Sequence, residues 1–303
     1  MNRIVYMIPP KTITQALSEK LANLNKPVVT SYDVGVLLQK LYSERKLRDK
    51  TLNIKNKIPG TNDFKTQMDA LYTNGILNNF KHFTSVHKLF GKKIESEEEV
   101  VCSINPFAYI SHLSAMEYHG LTDKIPRVLI YSAPNLKTWK KFAYDRMEKD
   151  FKGVRNNALP KLSLIDIEKF GKKNIIAFNS VHTGAYINIK NSALRISSPG
   201  RTFLDMIRKP DLCGGIYTVI QSFEEHVDMY LNLIVDEIDR NGNKIEKVRA
   251  GYIIEERCGF KDNETIDKWK RFAQRGGSRK LDPNNEYSSK YSEAWCLSLN
   301  IEL

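Results

Sequence analysis

The stretch from Asn62 to Gly91 constrains the fold most, because an apolar stripe and a polar face run along its first half. Phe64, Met68 and Leu71 recur at i, i+4 and i+7, which places them on one side of a helix. Asn74-Gly75 then supplies a C-terminal stop. The pattern predicts an amphipathic helix whose outer side, with Asn62, Thr66, Asp69 and Thr73, is short and polar.

A small hairpin is predicted directly after this helix. Ile76-Leu77 and the run from Val86 to Phe90 are β-prone, and the polar segment Asn78 to His82 separates them. Two earlier helices are predicted by apolar stripes, and a capping-box pattern from Thr30 to Asp33 begins the second of them. These stripes are formed by Ile13, Leu17, Leu21 and Leu24, and by Val34, Leu37, Leu38 and Leu41. Three helices followed by a hairpin are typical of a winged helix-turn-helix, whose third helix enters the DNA major groove.

The excess positive charge lies in the same region. The chain has 303 residues and a formal net charge of +12; residues 1–93 hold 16 Lys or Arg against 6 Asp or Glu, and the rest hold 31 against 29. A merely solvated basic surface would also explain this charge. Combined with the predicted helix and hairpin, however, it favours binding to the phosphate backbone of double-stranded DNA.

The predicted geometry assigns roles to individual side chains. Candidates for base contacts lie near the start of the third helix: Asn62, Lys65, Thr66 and Asp69. Candidates for phosphate or minor-groove contacts lie at the wing tip and in the long basic segment from Arg45 to Pro59: Arg45, Lys46, Arg48, Lys50, Lys55, Lys57, Lys81 and His82. Asp69 could equally be a surface residue that bonds a neighbour.

The remainder predicts an α+β domain in which helices cover a small sheet. We expect a winged helix-turn-helix over residues 1–93, a linker over 94–99 and a C-terminal domain over 100–303. The acidic run Ser96 to Glu99 favours a solvated linker, and Val100 to Ile104 is predicted to be a strand. Asn105 is predicted to cap the N-terminus of a helix that ends at His119-Gly120. Further strands are predicted at Val128 to Tyr131, Ile175 to Phe178, Ala185 to Ile189 and Ala193 to Ile196, and further helices at Leu136 to Phe151, after Ser198, and from Ile216 to Ile238.

No metal, cofactor or enzymatic activity is expected. Cys102, Cys213, Cys258 and Cys296 are far apart, with no C-x-x-C pair. An alternative is a DNA nuclease, since Asp123 followed by Asp150-Phe-Lys152 has a loose acid-then-acid-x-Lys spacing, but Asp150 falls on a helical pattern. No apolar run reaches membrane-spanning length and the N-terminus lacks a secretory pattern, so we expect a cytoplasmic protein without a membrane partner.

Four motifs, in order, carry a family resemblance. They are Leu113-Ser-Ala-Met-Glu-Tyr-His-Gly-Leu-Thr122, Ser198-Pro-Gly-Arg-Thr-Phe-Leu-Asp205, Pro210-Asp-Leu-Cys-Gly-Gly215 and Arg275-Gly-Gly-Ser-Arg-Lys-Leu-Asp-Pro283 with a closing Trp295. Together they resemble the abortive-infection E antitoxins, the AbiEi family of type IV toxin-antitoxin regulators. The residues of this chain that match the family motifs, and that the resemblance implies are functional, are Ser114, His119, Arg201, Asp205, Arg279 and Asp282. Arg201 and Asp205 are four residues apart, so an ion pair along one helix is their simplest interpretation.

The resemblance implies a two-gene phage-defence system. Such an antitoxin represses its own operon by binding promoter inverted repeats through the winged helix. Its C-terminal domain counters a nucleotidyltransferase-like toxin, and the two proteins need not form a complex. The long Arg45 to Pro59 segment departs from the simplest version of the family, and an orphan regulator without a toxin gene is a further alternative.

Overall fold

The computed structural model describes residues 12–48, 50–80, 83–154, 157–167, 169–170, 173–181, 184–274 and 279–302. In chain order, the first half forms α1 (Ile13–Ala22), β1 (Val28–Thr30), α2 (Ser31–Glu44), β2 (Lys46–Leu47), β3 (Lys50–Thr51), α3 (Thr61–Thr73), β4 (Leu77–Phe80), β5 (Phe83–Leu89), α4 (Glu97–Ile104), β6 (Tyr109–Ile110), α5 (His112–Tyr118), β7 (Val128–Pro134) and α6 (Leu136–Asp150). The second half forms β8 (Lys169–Phe170), β9 (Lys173–Ser180), β10 (Tyr186–Asn188), β11 (Arg195–Ser197), α7 (Pro199–Arg208), α8 (Ile216–Asn241), α9 (Lys244–Tyr252), α10 (Glu264–Trp269), β12 (Tyr291–Ser292) and β13 (Leu297–Ser298).

These elements group into two compact units. The first comprises Met1–Phe107, Asn135–Ile167 and Lys190–Leu194, and the second comprises Ala108–Pro134, Glu168–Ile189 and Arg195–Leu303. Helices and small sheets occur in both, so the predicted α+β class is confirmed. The predicted limits at residues 93 and 100 stay predictions, because packing contacts do not establish which segments fold independently.

In the first unit, α1, α2 and α3 surround a core beside a three-stranded antiparallel sheet of order β1-β5-β4. All three predicted helices form, and the capping box of α2 is present, with Thr30 and Asp33 bonded reciprocally. The predicted hairpin is β4–β5. Strand β1 was not predicted, because its three residues after Pro27, the last of which is the helix cap itself, are too few to show a period.

The long basic segment between α2 and α3 is ordered around a short antiparallel hairpin. Lys46 pairs with Thr51 and Leu47 with Lys50. Leu47, Leu52 and Ile54 are buried in the core that α1, α2 and α3 share. The segment is therefore anchored by apolar side chains, while its lysines remain at the surface.

Two sequence predictions around residue 100 are wrong. Glu97–Ile104 is helix α4, so the strand predicted at Val100 to Ile104 is not formed: the Ser96 hydroxyl accepts from the Glu99 amide at 3.2 Å, and acidic side chains suit the first turn of a helix. Asn105 does not cap the next helix. Tyr109–Ile110 forms strand β6 between β7 and β11, so α5 begins only at His112, although it ends at His119 and Gly120 as predicted.

The second unit contains a six-stranded mixed sheet of order β10-β11-β6-β7-β9-β8. Strands β7 and β9, and β6 and β11, are parallel, and the other neighbours are antiparallel. Helices α5, α7, α8, α9 and α10 contribute to one large apolar core, in which Phe203, Phe223, Trp269 and Trp295 are almost fully buried. The four predicted strands and the helix after Ser198 are confirmed with small shifts of their ends. Among the described residues, no helix is long and apolar enough to cross a membrane.

Candidate nucleic-acid interface

The first turn of α3 is fixed by Asp63. Its carboxylate accepts from the Gly60 amide at 2.7 Å, and it also lies near the Tyr42 hydroxyl of α2. Burial, together with this carboxylate, raises the pKa of Tyr42 to about 12. The N-terminal end of α3 is thus tied to α2 by a polar contact that the apolar periodicity did not reveal.

Two further polar contacts hold the rest of α3. The Thr14 hydroxyl of α1 donates to the Gln67 side chain at 2.8 Å. Near the other end of α3, the Tyr72 hydroxyl is 2.6 Å from Nδ1 of His87, whose Nε2 is 2.8 Å from the Ser31 hydroxyl. Together with Asp63, these contacts attach α3 to α1, α2 and β5, and so fix which side of the helix faces outward.

His87 is a buried bridge that stays neutral. Burial lowers its pKa to about 4, and a neutral imidazole offers one donor and one acceptor to its two hydroxyl partners. Sequence analysis did not single out His87, because alternation along a strand indicates an inward position but not the partners that meet there.

The polar face of α3 is free. Asn62, Lys65, Thr66 and Asp69 are all exposed, and among the described residues none of their side chains has a hydrogen bond or ion pair. On the opposite side, Leu71 is fully buried, and Phe64 and Met68 pack against the core. The two-faced pattern predicted for this helix is therefore present, and the neighbour suggested for Asp69 is not observed.

The basic segment ends where α3 begins, so chain connectivity places it beside the N-terminus of α3. Lys46, Lys50, Lys55 and Lys57 are exposed. Arg45 donates to the Lys55 carbonyl at 3.1 Å, which closes the base of the segment. Arg48 pairs with Glu19 of α1, yet its side chain remains 73% exposed.

The tip of the β4–β5 hairpin is where the wing was predicted. Lys81 and His82 lie outside the described residues. In the flanking strands, Asn78 and Lys88 pair across β4 and β5 and are both exposed. Polar side chains therefore continue from α3 onto the hairpin.

The C-terminal motif residues make internal contacts. The Ser114 hydroxyl accepts from the Ile130 amide, His119 bonds the Ser197 carbonyl, Arg279 donates to the Phe272 carbonyl, and Asp282 accepts from the Asn284 amide and bonds Asn300 through its backbone. These contacts give the motifs a structural role. The first two join the start of α5 to β7 and its end to β11.

Arg201 and Asp205 belong to a buried charge network between helices. Arg201 pairs with Glu237 of α8 at 2.6 Å, and Asp205 lies 3.9 Å from Arg208, so the described residues do not show the ion pair predicted between Arg201 and Asp205. Arg208 in turn binds both carboxylate oxygens of Glu246. Burial raises the pKa of Asp205 to about 7, against the opposing effect of the two arginines.

Asp150, the nuclease candidate, is occupied by structural contacts. It lies at the end of α6, where it accepts from the Tyr32 hydroxyl at 2.9 Å and from Arg146 at 3.2 Å. Within the described part of the chain, no group of three or more His, Cys, Asp or Glu side chains is placed to hold a metal ion.

Comparisons with known proteins add little to this geometry. No family model and no curated protein sequence matches the chain. One solved structure that the chain matches is that of the RV2827C protein from Mycobacterium tuberculosis. It shows 10% identity and a TM-score of 0.45, with 95% of this chain and 92% of that chain covered. A similarity at this level supports no statement about function.

Proposed function

We propose that the first unit contains a winged helix-turn-helix, and that the chain is a sequence-specific DNA-binding transcriptional repressor. The observation that carries the proposal is α3, whose apolar side packs into the core while its polar side is exposed and has no side-chain bond within the described part of the chain. A helix buried on one side and polar on the other, followed by a hairpin, suits the major groove.

The order of elements supports the same proposal. Helices α1, α2 and α3 precede the β4–β5 hairpin, and β1 completes its sheet. In a winged helix the third helix enters the groove and the hairpin lies against the backbone. The excess of basic residues over 1–93 supplies the matching charge.

Roles within the interface follow from position. In this proposal, Asn62 and Lys65 in the first turns of α3 contact base edges, with adenine and guanine as their usual partners. The lysines of the basic segment carry flexible ammonium groups, which suit phosphates. Specificity therefore resides in α3, and much of the affinity in the segment before it.

The antitoxin part of the proposal rests on the family resemblance of the motifs alone. In this proposal the chain represses its own operon at promoter inverted repeats and counters a nucleotidyltransferase-like toxin from the adjacent gene. Co-expression of the full chain with that gene product should restore growth. Continued growth arrest at equal protein levels would remove the antitoxin role and leave a regulator.

The test of DNA binding is the affinity of the chain for a DNA fragment from upstream of its gene. Fluorescence anisotropy would measure this affinity at salt concentrations from about 50 to about 300 mM. Lys65→Ala with Lys81→Ala should weaken binding and reduce the slope of log affinity against log salt by about 1 per chain, the share of the phosphate contact assigned to Lys81. Lys290→Ala, an exposed lysine of the second unit, is the control. An unchanged slope in the double variant would contradict the proposal.

A further inference from the structure

The outer side of α8 is unlike the rest of this basic chain. The helix runs for 26 residues, and its inner side, including Phe223, Val227 and Ile234, is buried in the core of the second unit. On the outer side, Met229 is 76% exposed and Leu233 is 52% exposed. They are four residues apart and therefore adjacent on one helical face.

Acidic side chains surround this apolar pair. Helix α8 contains six Asp or Glu and a single Arg, in a chain whose net charge is +12. Asp228 and Asp236 are exposed on the neighbouring row of the same helix. Asp236 pairs with Arg240 at 3.3 Å, where both side chains are largely in solvent, and Asp228 has no ion pair among the described residues.

An apolar pair within an acidic rim has the layout of a protein interface. Single exposed apolar residues are common, but methionine is enriched at the centres of interfaces and charged groups at their rims. Burial of Met229 and Leu233 would supply the favourable contact, and the acids would select the partner by charge.

We propose that the outer side of α8 is a docking surface for a protein whose contact face is basic around an apolar centre. The acidic rim disfavours nucleic acid and anionic bilayers, because like charges repel at contact distance. It also disfavours a second copy docked through the same face, since that would place the two acidic rims against each other. The docking surface lies in the second unit and does not depend on DNA binding by α3.

A synthetic amphipathic helix of leucine and lysine, labelled with a fluorophore, serves as the probe. Anisotropy titrations with the full chain would compare wild type with Met229→Ser/Leu233→Ser and with Asp228→Asn/Asp236→Asn. We expect the apolar double variant to bind the peptide about tenfold more weakly, roughly the effect of losing the contacts at an interface centre. The acidic double variant should lose most of its salt dependence.

Matched controls distinguish binding at this surface from nonspecific binding of the peptide elsewhere on the chain. Ile125→Ser removes an apolar side chain that is 79% exposed elsewhere in the second unit, and Glu286→Gln/Glu293→Gln removes two other exposed charges. Both should bind the peptide as wild type does, and all variants should keep wild-type circular dichroism and DNA affinity. Equal binding by wild type and both α8 variants would overturn the proposal. So would self-association of wild type that Met229→Ser/Leu233→Ser abolishes, because the occupant would then be a second copy.

Discussion

His87 joins three elements of the first unit through its two ring nitrogens. It bonds Tyr72 of α3 and Ser31 of α2 from its own place in β5. An imidazolium would still bond both hydroxyls, as a donor to each, so hydrogen bonding alone does not exclude it. Burial is what opposes the charge and lowers the pKa of His87, so the position of α3 depends on the neutral form of a buried histidine.

This dependence predicts a loss of stability in mild acid. The pKa of His87 is lowered to about 4 by burial, so as pH falls below about 6.5 the unfolded chain binds a proton that the folded chain does not. The free energy of unfolding should fall between pH 6.5 and 4, by about 2 kcal/mol from this residue between pH 7 and 5. Urea denaturation of wild type and His87→Gln at both pH values would measure it, with a smaller fall expected in the variant. Identical falls would show that His87 does not carry the effect.

At the scale of elements, α3 and the basic segment before it are expected to do different work. Asn62 lies on the exposed face of α3, whereas Lys50 lies in the hairpin β2–β3. In the proposed function, Asn62 contacts base edges and Lys50 contacts phosphates.

Asn62→Ala should therefore reduce discrimination at one base position by about 1–3 kcal/mol and leave the salt slope unchanged. Lys50→Ala is the matched contrast: it should weaken binding to all sequences alike and lower the slope by about 1. Competition binding with operator variants at two salt concentrations distinguishes these outcomes. A uniform loss of affinity in Asn62→Ala would mean that this side chain makes no base contact.

The motif from Ser198 to Asp205 has a physical basis in the approach of α7 to α8. Ser198 caps α7, and a Cβ on Gly200 would lie 2.3 Å from the Leu233 carbonyl oxygen of α8. This close approach brings Arg201 to Glu237. The motif is thus explained by helix packing.

Gly200→Ala should push α7 away from α8 and destabilise the chain by about 1–3 kcal/mol, the usual cost of overpacking. Gly60→Ala is the control, because its φ is −87° and the nearest atom to an added Cβ is 3.6 Å away. Thermal denaturation of both variants gives the comparison. A melting temperature of Gly200→Ala equal to that of wild type would contradict the packing argument.

Elements with a long apolar period could be predicted from sequence, and short ones could not. Helices α1 and α3 were predicted from their apolar stripes, which include Leu17 and Leu21 in α1 and Met68 and Leu71 in α3. Each stripe could be recognised because its helix is several turns long. Strands β1 and β6 have three and two residues and exist through pairing with distant partners, and β2 and β3 have two residues each in a local hairpin. The run Val100 to Ile104 has β-prone residues, but its cap at Ser96 and its burial made it helical. Likewise, the outward face of α3 could be predicted from its own sequence. The hydrogen bonds of His87 could not, because its partners Tyr72 and Ser31 lie on other elements of the fold.

At the scale of the whole molecule, the first unit draws on three separate stretches of chain. Helix α6 belongs to it, and Trp139 and Ala143 pack against Tyr32 and Val36 of α2. The Tyr32 hydroxyl also bonds Asp150. The N-terminal helices are therefore buried in part by a segment more than a hundred residues away.

A fragment of residues 1–107 should consequently be less stable than the same region in the intact chain. Exposure of Tyr32 and Val36 removes burial worth about 1.5–3 kcal/mol for each large apolar side chain. Urea denaturation followed by far-ultraviolet circular dichroism would compare the fragment with the full chain, with Trp139→Ala in the full chain as an intermediate case. A fragment midpoint at or above the first transition of the full chain would show that α6 does not stabilise these helices.

The central claim is that the exposed face of α3 lies on duplex DNA. The most direct measurement is crosslinking from a photoreactive amino acid at position 66, in place of the exposed Thr66, to a labelled fragment from upstream of the gene. The same substitution at Lys290 in the second unit serves as the control. The account predicts crosslinks from position 66 at defined bases within each half-site, and none from position 290. Binding of the fragment without any crosslink from position 66 would contradict it.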